Sequence, residues 1–311
     1  MPLLIHKYDW ISSPIMTSLR VMPKQELGSK NKALSKMTQI RRFIRYPLFI
    51  LGVIIVLFYI LVAIFSPILT SHNPDLPNSM NTYGRPDSAY PFGTDKFGRD
   101  VLSRVEYATR LDLTIALMVA VLSFTVGSLI GGVVGYYGGW IDKVVMRVVD
   151  VMFAFPAFIL AMAITSALGD TVQNVIIAIA TAYTPYFIRL TRGEMLTVRN
   201  RQYADAAISV GNPTWKVALV HLLPNALTPS LVQMTLVSGW AILDAAGLAF
   251  LGLGITPPTA EWGVMVSEGA QRIMTGEWWV WLYPGAAIVL AAFAFNLVGD
   301  GLRDILTREE Q

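Results

Sequence analysis

From Tyr46 to Ile68 the chain carries no charged side chain. About twenty apolar residues, rising about 1.5 Å each in a helix, reach across about 30 Å of hydrocarbon. Within lipid the backbone must satisfy its own hydrogen bonds, which leaves helices and closed barrels as the spanning structures. Continuous apolar runs of this length read as helices. Similar runs recur at Leu113–Tyr136, Val151–Leu168, Val172–Leu190, Leu227–Leu251 and about 279–299. The sequence therefore predicts an all-α integral membrane protein with six transmembrane helices. At 54% hydrophobic and 14% charged residues over 311 positions, composition agrees.

Charge sets the expected orientation. Nine Lys and Arg against two acids precede Tyr46, so segment 1–45 reads as a basic, cytosolic N-terminal segment, with the transmembrane domain at 46–304. Segment 71–110 is then an external loop with five basic and five acidic residues. The turn Gly169-Asp170 has no Lys or Arg, as an external turn should, and Ile255–Glu277 is a second large external loop. Arg189, Arg192, Arg199 and Arg201 mark the return to the cytosol and lead into a loop at 191–225. Trp278, Trp279 and Trp281 anchor the last span at the interface. Six crossings put both termini in the cytosol, with 305–311 as a short tail.

Several motifs carry more than topology. Gly127, Gly131, Gly135 and Gly139 repeat every four residues, a small-sided ridge for close helix contact. In Phe92–Arg104, Thr94 or Asp95 can cap a helix lying flat on the outer surface, with Val101, Leu102 and Val105 on its apolar side. Asp95, Arg99, Asp100 and Arg104 in that string either tie the loop down or gate it. Arg147 and Asp150 stand three apart and can pair on one helix face as a cytosolic ion pair. Pro156 and Pro185 are expected to kink their spans. Gln233 and Asp244 lie among apolar residues of the fifth span. A carboxylate at membrane depth faces protein or a water-filled path, so Asp244 either lines the translocation path or makes a buried hydrogen bond.

Tyr203–Asn225, YADAAISVGNPTWKVALVHLLPN, reads as a helix, a sharp break and a second helix. Tyr203, Ala206, Ala207 and Val210 fall on one helical face. Gly211 suits the left-handed position that ends a helix, and Asn212-Pro213 can cap and restart one. Trp215, Ala218, Leu219 and Leu222 make the second stripe, and Pro224 limits how far that helix continues.

The register Asp205-Ala206-Ala207, Gly211, then His221, Leu223 and Pro224 resembles the coupling (EAA) loop of ABC importer permeases. Asp replaces the usual Glu, and His221 before a Leu-Pro-Asn ending is similar to the oligopeptide/dipeptide branch. Gly93-Thr94-Asp95 with Gly98-Arg99-Asp100 and Ser103-Arg104, the Gly-Tyr-Tyr-Gly-Gly-Trp string, the Asp244 context and the Asn296–Asp304 ending resemble the same branch. The resemblance covers roughly Tyr46 to Arg303. It implies the type I importer permease fold in the inner membrane, with a coupling helix between spans four and five. It also implies a second homologous permease subunit, two cytosolic ATPases that use ATP and Mg, and an external substrate-binding protein. Peptides are the implied cargo, with nickel chelates, glutathione-like molecules or oligosaccharides as alternatives.

The residues themselves exclude much. There are no cysteines, and His6, His72 and His221 fall on opposite sides of the membrane in this topology, so no metal site is expected. No phosphate loop is followed by Lys-Ser or Lys-Thr, so no ATP or other cofactor should bind this chain. No catalytic constellation is visible, which argues against an enzyme, and the mild positive charge is placed by topology rather than by nucleic acid. A secondary transporter driven by an ion gradient is the competing class; the hairpin register argues against it.

Overall fold

A computed structural model describes residues 46–307 of the chain. Expectations for 1–45 and for the last four residues lie outside the described residues. Among those described, every regular element is helical, and the one β contact is an isolated bridge between Thr94 and Asp100. In order, the helices are α1 (Pro47–Leu69), α2 (Val101–Tyr137), α3 (Gly139–Phe153), α4 (Ala157–Leu168), α5 (Val172–Val198) and α6 (Gln202–Ser209). They continue with α7 (Thr214–Lys216), a π-helical stretch at Val217–Leu222, α8 (Leu223–Ala226), α9 (Thr228–Phe250), α10 (Trp262–Ala270) and α11 (Trp279–Thr307).

Among the described residues, α1, α2, α9 and α11 are each long and apolar enough to cross a membrane. The pair α3 and α4 makes a fifth if counted as one broken span. Where the sequence suggested a kink at Pro156, the two helices meet at 92°. Pro156 has no N–H to continue the ladder and disfavours helical geometry in Phe155. At about 1.5 Å per residue, the 12-residue α4 is too short to cross alone. α5 is 27 residues long but carries Arg189, Arg192 and Glu194 near its end.

The second apolar run differs most from expectation. The structure has no flat outer helix around Phe92–Arg104 with a separate span from Leu113. One 37-residue helix runs from Val101, and its N-cap is Asp100, not Thr94 or Asp95. The Asp100 carboxylate accepts the Leu102 and Ser103 N–H groups. No proline interrupts the sequence from there to Tyr137, and the helix outruns about 30 Å of hydrocarbon.

The glycine ridge docks α2 on α5. A Cβ on Gly127 would lie 2.5 Å from Phe187 Cβ, one on Gly131 2.5 Å from the Ile188 carbonyl, and one on Gly135 2.8 Å from Met195 Cβ. Gly139 is not part of this ridge: Gly138 and Gly139 both have positive φ and make the turn into α3. Ile115, Val119, Ile179, Phe187, Val237 and Leu248 fill the core between α2, α5 and α9. A second core joins α1, α2, α9, α10 and α11 around Trp262.

Candidate functional site

The surface hairpin is built on the end of α5. Met195 and Val198 of α5 pack with Ala204, Val217, Leu222, Leu223 and Ala226. Leu223 also closes on α2, where a Cβ on Gly132 would meet its Cδ1 at 2.7 Å. Arg199 donates to the Gly135 and Tyr136 carbonyls at 2.9 and 3.1 Å, placing a cation at the end of α2.

α6 ends at Ser209, and Gly211 follows at φ +84° with open space where a Cβ would be. Its N–H bonds the Ile208 carbonyl at 2.9 Å. Asn212 does not cap the second arm; its side chain donates to the Ala207 carbonyl at 2.9 Å and closes the first. Pro213 occupies the cap position itself. Pro224 does not end the second arm either. The chain widens into a π turn over Val217–Leu222 and continues into α8, which accommodates the donor that Pro224 lacks.

The apolar stripe read on the first arm is turned outward. Tyr203, Ala206 and Val210 are exposed, Val210 by 82%, while Ala207 is half-buried against the inner cluster; Ile208 and, on the second arm, Trp215 (58%) are also exposed. Asp205 is exposed beside them. On the second arm Ala218 and Leu222 are buried, and His221 is half-buried with its Nε2 enclosed and unpartnered. The hairpin thus has a sealed inner face and, outward, exposed apolar side chains interspersed with Asp205 and Lys216.

A second group lies in the seam between α5 and α9. Tyr183 donates to Asp244 at 2.7 Å, and Trp240 stacks on Tyr183 with centroids 5.8 Å apart. Farther along the same seam, Gln233 lines a cavity of about 240 Å³ with Leu190, Thr228, Leu236 and Arg303. Beside that cavity, Thr191 hydrogen-bonds Ser230 and Ser128 at 2.8 and 3.1 Å. Gln233 and Asp244 are eleven residues apart, three turns of a helix, so they share one face.

The third group is a buried clasp. Asp95 accepts from the Phe97 and Arg99 N–H groups at 2.8 and 2.9 Å and from Arg99 Nε at 2.6 Å. Arg99 also reaches Glu268 on α10 at 3.2 Å. Arg104 donates to the Pro74 carbonyl at 3.0 Å and to the Pro258 carbonyl across the molecule. His72 stands 3.3 Å from Asp100. Asp95, Arg99, Asp100 and Arg104 therefore come together, and they fasten the 71–100 loop to the 256–268 segment. The sequence reading missed Glu268, which no local spacing links to Arg99.

Arg147 does not pair with Asp150. Asp150 accepts from Arg189 of α5 at 2.7 Å, and Arg147 is exposed. The neighbouring Asp142 binds Arg192 the same way, at 2.6 Å from Nη2. Two arginines of α5 thus hold α3, a cross-helix arrangement that an i, i+3 rule cannot see.

Residues 127–310 match the family described as "Binding-protein-dependent transport system inner membrane component". The chain belongs to this family of ABC importer permeases. Residues 37–87 match a further family, "N-terminal TM domain of oligopeptide transport permease C". The chain is 43% identical over 257 residues to the dipeptide transport system permease protein DppC of Alkalihalophilus pseudofirmus, covering 83% of this chain and 84% of that one. It is 41% identical to the probable D,D-dipeptide transport system permease protein DdpC of Escherichia coli, over 84% and 87% of the two chains. It is 37% identical to the glutathione transport system permease protein GsiD of Pectobacterium atrosepticum, over 86% and 88%. The family is one of membrane transport components, not catalytic subunits.

Proposed function

We propose that this chain forms half of the translocation path of an ATP-driven importer for di- or oligopeptides. Its partners in this reading are a second, homologous permease, two cytosolic ATPases and an external binding protein. The observation that carries the reading is the hairpin. A rigid inner face sealed onto α5 and α2 supports an outer face of Tyr203, Ile208, Val210 and Trp215 left open beside Asp205. Such a patch on a polar rim fits a protein partner, and its rigid base would carry that partner's motion into α2 and α5. The relatives named for dipeptide transport support the cargo class.

In this reading α5 joins the four apolar helices and the broken α3–α4 pair, giving six crossings with both termini cytosolic. The path runs along the α5–α9 seam past Asp244 and Gln233. ATP binds and is hydrolysed on the partner subunits, and this chain binds no cofactor. The clasp of Asp95, Arg99, Asp100 and Arg104 holds the external loops as one body, so an outer gate there moves as a unit between two arrangements. The test is reconstitution with cognate ATPases and a cognate external binding protein. ATP-dependent uptake of a labelled dipeptide supports the proposal; uptake driven by an ion gradient without ATPases sinks it.

A further inference from the structure

Asp112 on α2 and Glu261 at the start of α10 are buried together, 1% and 0% exposed. Each has one oxygen satisfied by the α10 backbone. Asp112 Oδ2 accepts the Trp262 N–H at 3.3 Å, and Glu261 Oε2 accepts the Val264 N–H at 2.6 Å. That leaves Asp112 Oδ1 and Glu261 Oε1 enclosed, with no other donor. Both carboxyls sit at the start of α10, Asp112 on the N–H of Trp262, the residue after Glu261, so the two groups adjoin.

Two such carboxyls cannot both be ionised without opposing like charges in a low-dielectric core. One proton between the orphaned oxygens satisfies both at once: one carboxyl O–H donates and the other carboxylate accepts. Burial pushes the Glu261 carboxyl up from its ordinary range, while the Val264 and Gly263 N–H groups pull against that rise. Those N–H groups open a helix and favour the anion on Glu261, so Asp112 holds the proton.

The neighbouring cations are engaged elsewhere: Arg110 is exposed, with its guanidinium over the Tyr107 ring. Arg104, two turns back on α2, spends its guanidinium on the Pro74, Pro258 and Thr259 carbonyls and on Asp75. Glu106 is influenced by Asp100 instead. On α1, the Tyr59 hydroxyl donates to the Ala287 carbonyl, and its ring meets Trp262 edge-on at 5.6 Å. α9 and α11 present Ile242, Ala246, Ala287 and Ala291 here. Glu268, farther along α10, is held by Arg99 and Lys96.

We propose that Asp112 and Glu261 form a single-proton binding site that locks α10 and its preceding loop onto α2, and that losing this proton at alkaline pH releases the loop. The site does not depend on the transported cargo or on the hairpin. The loop it holds also carries the acceptors of Arg104, so release loosens the clasp as well.

The chain has no cysteines, so single ones report cleanly. Ala260 is buried beside the pair, and Thr256 on the same loop is exposed. In the purified full chain in detergent, the maleimide labelling rate of Ala260→Cys is divided by that of Thr256→Cys. The exposed site corrects for ordinary thiol ionisation, and the amide variants below correct for the higher thiol pKa that burial gives Ala260→Cys. From neutral to alkaline pH it should rise at least about tenfold, the change that one unit of differential proton affinity produces. Asp112→Asn keeps a donor facing Glu261 with no proton to lose, and Glu261→Gln supplies the mirror arrangement. In either background the ratio should rise only by the part that thiol burial itself gives. If Asp112→Asn fails to fold, Glu261→Gln decides. A flat ratio in the unsubstituted pair, or an equal rise in the amide variant, overturns the proposal.

Discussion

Tyr183 and Asp244 are joined by a 2.7 Å hydrogen bond between α5 and α9, with Asp244 half-buried and the Tyr183 ring buried against Trp240. The phenol holds one carboxylate oxygen and aims the group along the seam. The other oxygen accepts no hydrogen bond from the described residues. A carboxylate placed so at membrane depth has two separable roles, holding α5 to α9 and meeting water or cargo.

Substitution separates those roles. Asp244→Asn keeps an acceptor for Tyr183 and removes the charge. Tyr183→Phe keeps the charge and removes a hydrogen bond to a charged group, worth about 1.5–3 kcal/mol. If Asp244 meets the cargo, Asp244→Asn should lower the uptake rate several-fold at unchanged yield of assembled complex. Tyr183→Phe should mainly lower the melting temperature. Unchanged uptake in Asp244→Asn would leave the pair a helix-to-helix tie and nothing more.

The clasp predicts a stability effect. Arg99 is 2% exposed and bonds both Asp95 and Glu268. Removing one partner of a buried charge pair costs about 3–5 kcal/mol, because the other charge is left without compensation. Arg99→Ala should therefore lower the thermal midpoint of the purified chain by several degrees. Asp150→Ala serves as a contrast. Its pair with Arg189 is about half exposed on both sides, and such pairs contribute about 0–1 kcal/mol. Equal shifts in the two variants would contradict the burial argument.

The glycine ridge predicts a packing effect. A side chain at Gly131 meets the Ile188 carbonyl, which is backbone and cannot rotate away. Gly193 on the facing helix has open space around its Cβ position. Gly131→Val should reduce the yield of folded protein sharply, since overpacking costs about 1–3 kcal/mol and here backbone must move. Gly193→Ala should be neutral or slightly stabilising. Membrane yield and thermal midpoint together check both.

What was legible beforehand follows a physical divide. Apolar length, the glycine spacing and the Gly211 break are local, and each is set by a few consecutive residues. What was missed depends on where distant segments meet. Thr94 and Asp95 were the caps expected for a helix starting here. Asp95 is drawn off by Arg99, so the cap falls to Asp100 and the helix begins there. Arg147 was the nearest partner for Asp150 by spacing, yet α5 brings Arg189 closer. Asp112 and Glu261 have no local signal at all, because only the fold brings α10 back to α2. Pro156 marked a break, but its 92° angle depends on how α3 and α4 each pack on α5.

Gly211 supports the sharpest prediction. Its φ of +84° lies where a β-branched side chain is strained, at roughly 1–2 kcal/mol. Nothing stands near its Cβ position, so the strain is in the backbone alone. The inner face of the hairpin is sealed by Ala204, Leu222 and Leu223 onto α5, which holds the two arms against that strain. Gly211→Val should therefore fold and reach the membrane, with the turn between Val210 and Asn212 reshaped. Val210 and Trp215 would then leave the common outer face that the proposed ATPase contact needs. The expected result is normal chain yield with ATP hydrolysis uncoupled from uptake, or with the ATPases lost on purification. Asp205→Ala should do less, because an exposed charge contributes about 0–1 kcal/mol. Gly211→Ala should fall between the two, with the same backbone penalty but no β-branch. Full coupled transport in Gly211→Val would remove the hairpin from the coupling role, whatever the fate of the path along α5 and α9.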